Sequence, residues 1–153
     1  MPWRIYNHIV SKIAFEKYDD KDHFLQTIDL ENQKILTILD IQKHQVPNTI
    51  VAYAYTGDGQ EIIFNSHLAN KGEDIFIVNV DSGEMKKLFH LPYFDFTYPK
   101  ITSDSRFLIW RSLATGEYKS QTIFSYDLKS GEQNIVCKPT AQEWCGDFKL
   151  LEP

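Results

Sequence analysis

The sequence predicts an all-β fold made of four-stranded antiparallel blades of a β-propeller, with about three blades in the chain. Three observations predict it. Short apolar runs and alternating runs fill the chain between clusters of turn-forming residues, which is the pattern of strands. Aromatics are 14% of the 153 residues, and flat side chains pack well on a pleated surface. The pattern also repeats. Phe15, Phe64 and Trp110 correspond at spacings of 49 and 46 residues, and Leu30, Val80 and Leu128 at 50 and 48. That period fits one propeller blade, roughly 40–50 residues. Nothing places apolar residues at helical three-and-four spacing between caps.

Each copy reads as strands A to D. Ile13-Ala14-Phe15, Ile62-Ile63-Phe64 and Phe107-Leu108-Ile109-Trp110 are short apolar runs, suited to a strand B buried on both faces. Trp110 belongs to the core, and Arg111 after it points the other way. "FLQTIDL", "IFIVNV" and "TIFSYDL" alternate more and serve as strand C. Asp81-Ser82-Gly83 and Lys129-Ser130-Gly131 then supply residues that tolerate the backbone of a hairpin turn. "TGDGQ" and "TSDSR" are the turns between A and B. Gly57, Gly59 and Gly83 serve backbone geometry.

The blades span about 12–45, 48–91 and 95–139. The first has no evident strand A. Residues 142–153 resemble such a strand without the blade that should follow, so they supply it, or residues 1–11 do. Three blades are fewer than the 4–8 of a closed ring. Two solutions are open: a homodimer that closes a six-bladed ring, or an excised or open fragment or sandwich.

The copies resemble the TolB-type, WD-like propeller repeat, whose pattern is a turn of the kind "SPDGK", an apolar triplet, a variable loop, a strand and "tGe". Asp58-Gly59-Gln60, Ile62-Ile63-Phe64 and the stretch from Asp74 to Glu84 carry the match. The third copy departs from it, with Asp104-Ser105-Arg106 lacking the glycine. The resemblance covers about residues 12–153 and implies the fold; propellers host many functions, so it implies no activity.

The net charge of −5 comes without a Lys/Arg cluster beyond Lys86-Lys87, which argues against nucleic acid and against an anionic membrane. A protein or peptide partner remains, with an inhibitor or immunity-type role as one form. No apolar run reaches membrane-spanning length. Two irregularly placed cysteines, Cys137 and Cys145, form neither a disulfide framework nor a zinc site. The expectation is a cytoplasmic protein with reduced, inert thiols, or a periplasmic one if a signal peptide has been removed.

Chemistry should gather on one face. In a propeller the D–A and B–C loops share a face and the A–B and C–D turns share the other. The first set spans 16–23, 42–48, 66–74, 90–99, 113–120 and 139–147. It holds His23, His44, His67 and His90, four of the five histidines. The candidate binding residues are His67, His90, Tyr93, Phe94, Asp95, Phe96, Tyr98, Tyr118 and Trp144. The loop "HLPYFDFTYP" reads equally as a binding hot spot or as aromatics packed between blades. Asp95 and Glu143 are the carboxylates that would join the histidines in a metal-assisted site. Some sugar-acid lyases resemble TolB propellers and use such a metal, but no His-x-His or His-Glu-x-x-His motif is present. Ser66-His67 makes no triad, and no Gly-x-Ser-x-Gly elbow exists. The expectation is therefore solvated loop histidines, no metal, no cofactor and no catalytic residue. The leading function is a non-enzymatic binding module. The alternatives are a metal-assisted carbohydrate-active enzyme and a propeller piece of a peptidase-like protein.

Overall fold

The computed structural model describes residues 12–18, 22–43, 53–68, 72–92, 96–112, 121–140, 145–146 and 148–150. They form three antiparallel sheets and, among the described residues, no helix. The first sheet is β1 (Lys12–Tyr18), β2 (His23–Asp29) and β3 (Ile35–Asp40), in that order. The second runs β4 (Tyr53–Tyr55), β5 (Glu61–Leu68), β6 (Gly72–Asn79) and β7 (Met85–Leu91). The third runs β8 (Thr97–Ile101), β9 (Phe107–Arg111), β10 (Ile123–Asp127) and β11 (Gln133–Cys137). Each sheet is a meander in which sequence neighbours pair, as in a propeller blade.

Two apolar layers join the blades. Between the first and second lie Ala14, Leu25, Ile38 and Leu39 against Ile62, Phe64, Val78 and Val80. Between the second and third lie Ile63, Ile75 and Ile77 against Leu108, Trp110, Phe124 and Tyr126. The two faces of β5 therefore serve different layers, which is why its apolar residues are consecutive. Trp110 is fully buried, with Phe124 at 5.4 Å and Phe89 at 5.4 Å between ring centroids.

Local hydrogen bonds build the turn rim. Asp58 accepts from the Gln60 amide at 3.0 Å and the Thr56 hydroxyl at 2.6 Å. Asp104 takes the same two bonds from Arg106 and Thr102 in the next blade. Gly59 there has φ +69°, and Ser105 fills the matching place at φ +56°. So the missing glycine of the third copy changes the residue and keeps the turn. Gly57 has a different reason to be glycine. A Cβ there would stand 2.2 Å from the Ser103 carbonyl oxygen, and its amide donates to Ser105 Oγ at 2.9 Å.

The expectation of reduced thiols is corrected. Cys137 and Cys145 form a disulfide, with Cα atoms 6.0 Å apart, inside the usual range. Their separation of eight residues hid the pairing, because spacing alone says nothing of how the chain folds back. Among the described residues no helix is long and apolar enough to cross a membrane.

Candidate functional site on the B–C and D–A rim

The loops drawn from sequence are shorter than expected, because strands run into them. Ser66 and His67 belong to β5, and Glu73 and Asp74 to β6. His90 lies in β7, one residue before its end, and Tyr98 and Pro99 lie in β8. The ends of these strands form one rim, and they hold its polar groups in fixed places.

Three histidines on this rim each meet a carboxylate, so the expectation of solvated loop histidines is corrected for them. His23 Nε2 lies 2.7 Å from Glu16 Oε2, where the β1–β2 ladder brings the ends of the two strands together. His67 Nε2 lies 2.6 Å from Glu73 Oε1, directly across the β5–β6 pair. His90 Nδ1 lies 2.8 Å from Asp74 Oδ1, across β6–β7, and Lys87 Nζ reaches the same oxygen at 2.7 Å. His44 lies outside the described residues.

The two central carboxylates differ in environment. Partial burial pushes Asp74 up, but hydrogen bonds from Lys87 and His90, with their charges, outweigh it and hold its carboxyl below the usual range. Glu73 is buried, and loss of solvent raises its carboxyl above the usual range. The Phe96 amide at 2.9 Å, His67, and Asn65 at 3.2 Å oppose that rise. Glu73 thus ties the start of β8 to the middle blade, and Phe96 drops into the layer between blades. Of the two readings of the aromatic loop, Phe96 takes the packing one.

Tyr98 takes the opposite place. It is 65% exposed, at φ +50°, where the β8–β9 register shifts between Thr97 and Lys100. A bulky residue with positive φ is a strained outlier, and such strain concentrates at binding sites. Thr97 Oγ1 donates to the Arg111 carbonyl at 2.6 Å, and the Arg111 guanidinium lies 4.6 Å from the Tyr98 ring centroid. Tyr93, Phe94, Asp95, Tyr118, Glu143 and Trp144 lie outside the described residues.

Sequence reasoning missed Glu16, Glu73 and Asp74 as histidine partners. The available signal was register: Glu73 and Asp74 face their histidines once strands B, C and D are paired, and Glu16 lies diagonally from His23, which faces Tyr18. Each imidazole is matched to one carboxylate, and among the described residues no three His, Cys, Asp or Glu groups converge as metal ligands would.

An open groove of about 640 Å³ runs along the three blades. β1, β4 and β8 line it, with Lys149 and Leu150 of the C-terminal segment. Burial and the neighbouring Tyr53 push the Tyr55 phenol up to about 12, and Tyr53 donates its hydroxyl to the Ala14 carbonyl at 2.9 Å.

Comparison with solved structures agrees with this geometry. The chain is similar to TolB from Acinetobacter baumannii, with a TM-score of 0.64 and 17% identity over 87% of this chain and 31% of that one. It is similar to a putative TolB from Agrobacterium tumefaciens, with a TM-score of 0.64 and 14% identity over 88% of this chain and 45% of that one. A prolyl endopeptidase matches at a TM-score of 0.64 and 19% identity, over 85% of this chain and 21% of that one. The chain spans less than half the length of each. The fold is therefore a TolB-type β-propeller fold, and identities this low speak to fold alone. No protein-family model and no curated protein sequence matches the chain.

Proposed function

We propose that the chain is a binding module whose B–C and D–A rim receives a protein or peptide partner. Tyr98 carries the reading: an exposed aromatic, held in a strained backbone conformation and braced by Arg111, beside the ordered imidazole–carboxylate pairs. Tyrosine and arginine are the residue types most often found at binding hot spots. The Cys137–Cys145 bond favours an oxidising compartment, hence the periplasmic branch of the localisation expectation.

Peptides selected by phage display against the whole domain test the proposal. Tyr98→Ala and Arg111→Gln are expected to weaken the selected peptides more than about tenfold. Lys129→Ala, on the opposite rim, should leave binding unchanged. Unchanged affinity in the first two variants, or an equal loss at Lys129, would overturn it.

A further inference from the structure

The polar pairs of the second blade's rim have an inside and an outside. The Glu73 side chain is 2% exposed, and that of its partner His67 is 32% exposed. The Asp74 side chain is 13% exposed, against 41% for His90 and 48% for Lys87. In both cases the carboxylate lies beneath and the nitrogen-bearing side chain lies above it. The first blade shows no such order, since His23 and Glu16 are covered alike, at 10% and 13%.

Strand order explains the arrangement. Both carboxylates stand on β6, which has β5 on one side and β7 on the other. Lys87 and His90 stand on β7, the edge strand of the sheet. His67 lies beyond the three β5 residues that pair with β4, so no inner strand covers it. A covered carboxylate must replace its lost hydration with hydrogen bonds, and these nitrogens, with the Phe96 amide, supply them.

The third blade extends this surface. The Glu73–Phe96 bond fixes the backbone two residues before Tyr98, and the Arg111 guanidinium lies over the Tyr98 ring. Lys87 and Arg111 are positive, and an imidazole is neutral or positive, never negative. Among the described residues, the second and third blades expose no carboxylate on this rim. Their opposite rim is built the other way: Asp58, Asp81, Glu84, Asp104 and Glu132 are all exposed in its turns. The net charge of −5 is therefore unevenly placed.

We propose that the partner of the Tyr98 rim is an acidic peptide segment. Its carboxylates meet Lys87 and Arg111 through charge-assisted hydrogen bonds, and its chain lies against Tyr98. The inference rests on the binding-module reading and adds the partner's charge to it. Net charge taken alone favours a basic partner, but a partner meets the local surface, and here the negative groups are the buried ones. The acidic turns of the opposite rim repel the same segment, so the field of the whole domain turns it toward the Tyr98 side.

A random-peptide phage library selected on the full chain tests it. Among peptides whose binding Tyr98→Ala weakens, Asp and Glu should outnumber Lys and Arg. Fluorescence anisotropy with those peptides should show affinity falling about tenfold from roughly 50 to roughly 300 mM sodium chloride. Lys87→Glu should weaken them by about tenfold or more. Lys129→Glu, on the opposite rim, alters the net charge equally and should change affinity by less than about twofold. Circular dichroism establishes that each variant is folded; should Lys87→Glu unfold, Lys87→Gln carries the test with a loss of about threefold. Tyr98-dependent peptides that are neutral or basic would overturn this inference and leave the binding-module reading standing. An equal loss in Lys129→Glu would overturn it as well, since bulk charge would then suffice. A selection that yields no Tyr98-dependent peptide would overturn both.

Discussion

Gly57→Ala should be far more damaging than Gly59→Ala, although Gly59 is the residue with the left-handed backbone. At Gly59 φ is +69° and an added Cβ meets nothing within 4 Å. The penalty there is the steric one of an L-residue in that region, about 1 kcal/mol. At Gly57 the added Cβ stands 2.2 Å from Ser103 O, 2.8 Å from its carbonyl carbon and 3.1 Å from its Cα. All three are backbone atoms, so no side chain can swing aside. The two A–B turns must part, which also breaks the Gly57 N–H bond to Ser105 Oγ. Overpacking of this kind costs about 1–3 kcal/mol, and the lost hydrogen bond about 1 kcal/mol more. A total of about 3 kcal/mol corresponds to a fall in Tm of roughly 6–12 °C for a domain of this size. Thermal unfolding of both variants by circular dichroism checks the order. Equal midpoints, or a milder loss for Gly57→Ala, would mean that the second and third blades do not touch at these turns.

Three further outcomes follow from the same geometry. Gln33 sits at φ +58° in the turn where the other blades have Gly83 and Gly131, so Gln33→Gly should stabilise the fold by about 0.5–1 kcal/mol in urea unfolding. Opening the Cys137–Cys145 bond, by reduction or by double substitution to serine, frees a loop of eight-residue separation and should cost about 2.5 kcal/mol, lowering Tm by roughly 5–10 °C. In acid, Asp74 and Glu73 should act with opposite sign. Asp74 is held low when folded, so its stabilisation is present above the ordinary aspartate value of 3.8 and is lost as pH falls through its folded value. Glu73 is raised, so its contribution is full below the ordinary value of 4.5 and is lost as pH rises through the folded one. Urea midpoints taken from about pH 3 to 7 should therefore fall less steeply in acid for Asp74→Asn than for the parent chain. Over the same range Glu73→Gln should gain on the parent as pH rises.

The blade pattern was legible because it rests on local chemistry. Ile62-Ile63-Phe64 must be buried on both faces, and "DSGE" must turn, whatever lies around them. The division of Phe96 from Tyr98 was not legible. They are two residues apart and would share a face in a regular strand, but the bulge after Thr97 and the Glu73 bond send one inward and leave the other exposed. The histidine partners were hidden for a similar reason. Glu16, Glu73 and Asp74 look like solvated charges at strand ends until register sets Glu73 and Asp74 opposite their imidazoles and Glu16 diagonally from His23. Gln33 and Ser105 took left-handed turn positions that residue type alone assigns to glycine. Each miss is a place where a neighbouring strand or blade overrides the local preference.

Glu73 joins the fold to the rim. A carboxylate at that depth gives up its hydration, which is recovered only when its oxygens are bonded. Here Oε2 takes the Phe96 amide, while Oε1 takes Asn65 and His67. The first bond holds the backbone two residues before Tyr98, and the last aims the imidazole at the surface. Removing the carboxylate would therefore strand the buried Phe96 amide, just before β8, and break the His67 pair together. Glu73→Leu, close in volume but without acceptors, should cost about 1–3 kcal/mol, since it leaves the Phe96 amide buried and without its acceptor. Glu73→Gln keeps one acceptor and one donor and should recover most of that loss near neutral pH. The pair separates packing from polar anchoring. If leucine is tolerated as well as glutamine in chemical unfolding, the volume of Glu73 matters and its hydrogen bonds do not. If leucine alone destabilises, the rim is held in place by a single buried carboxylate.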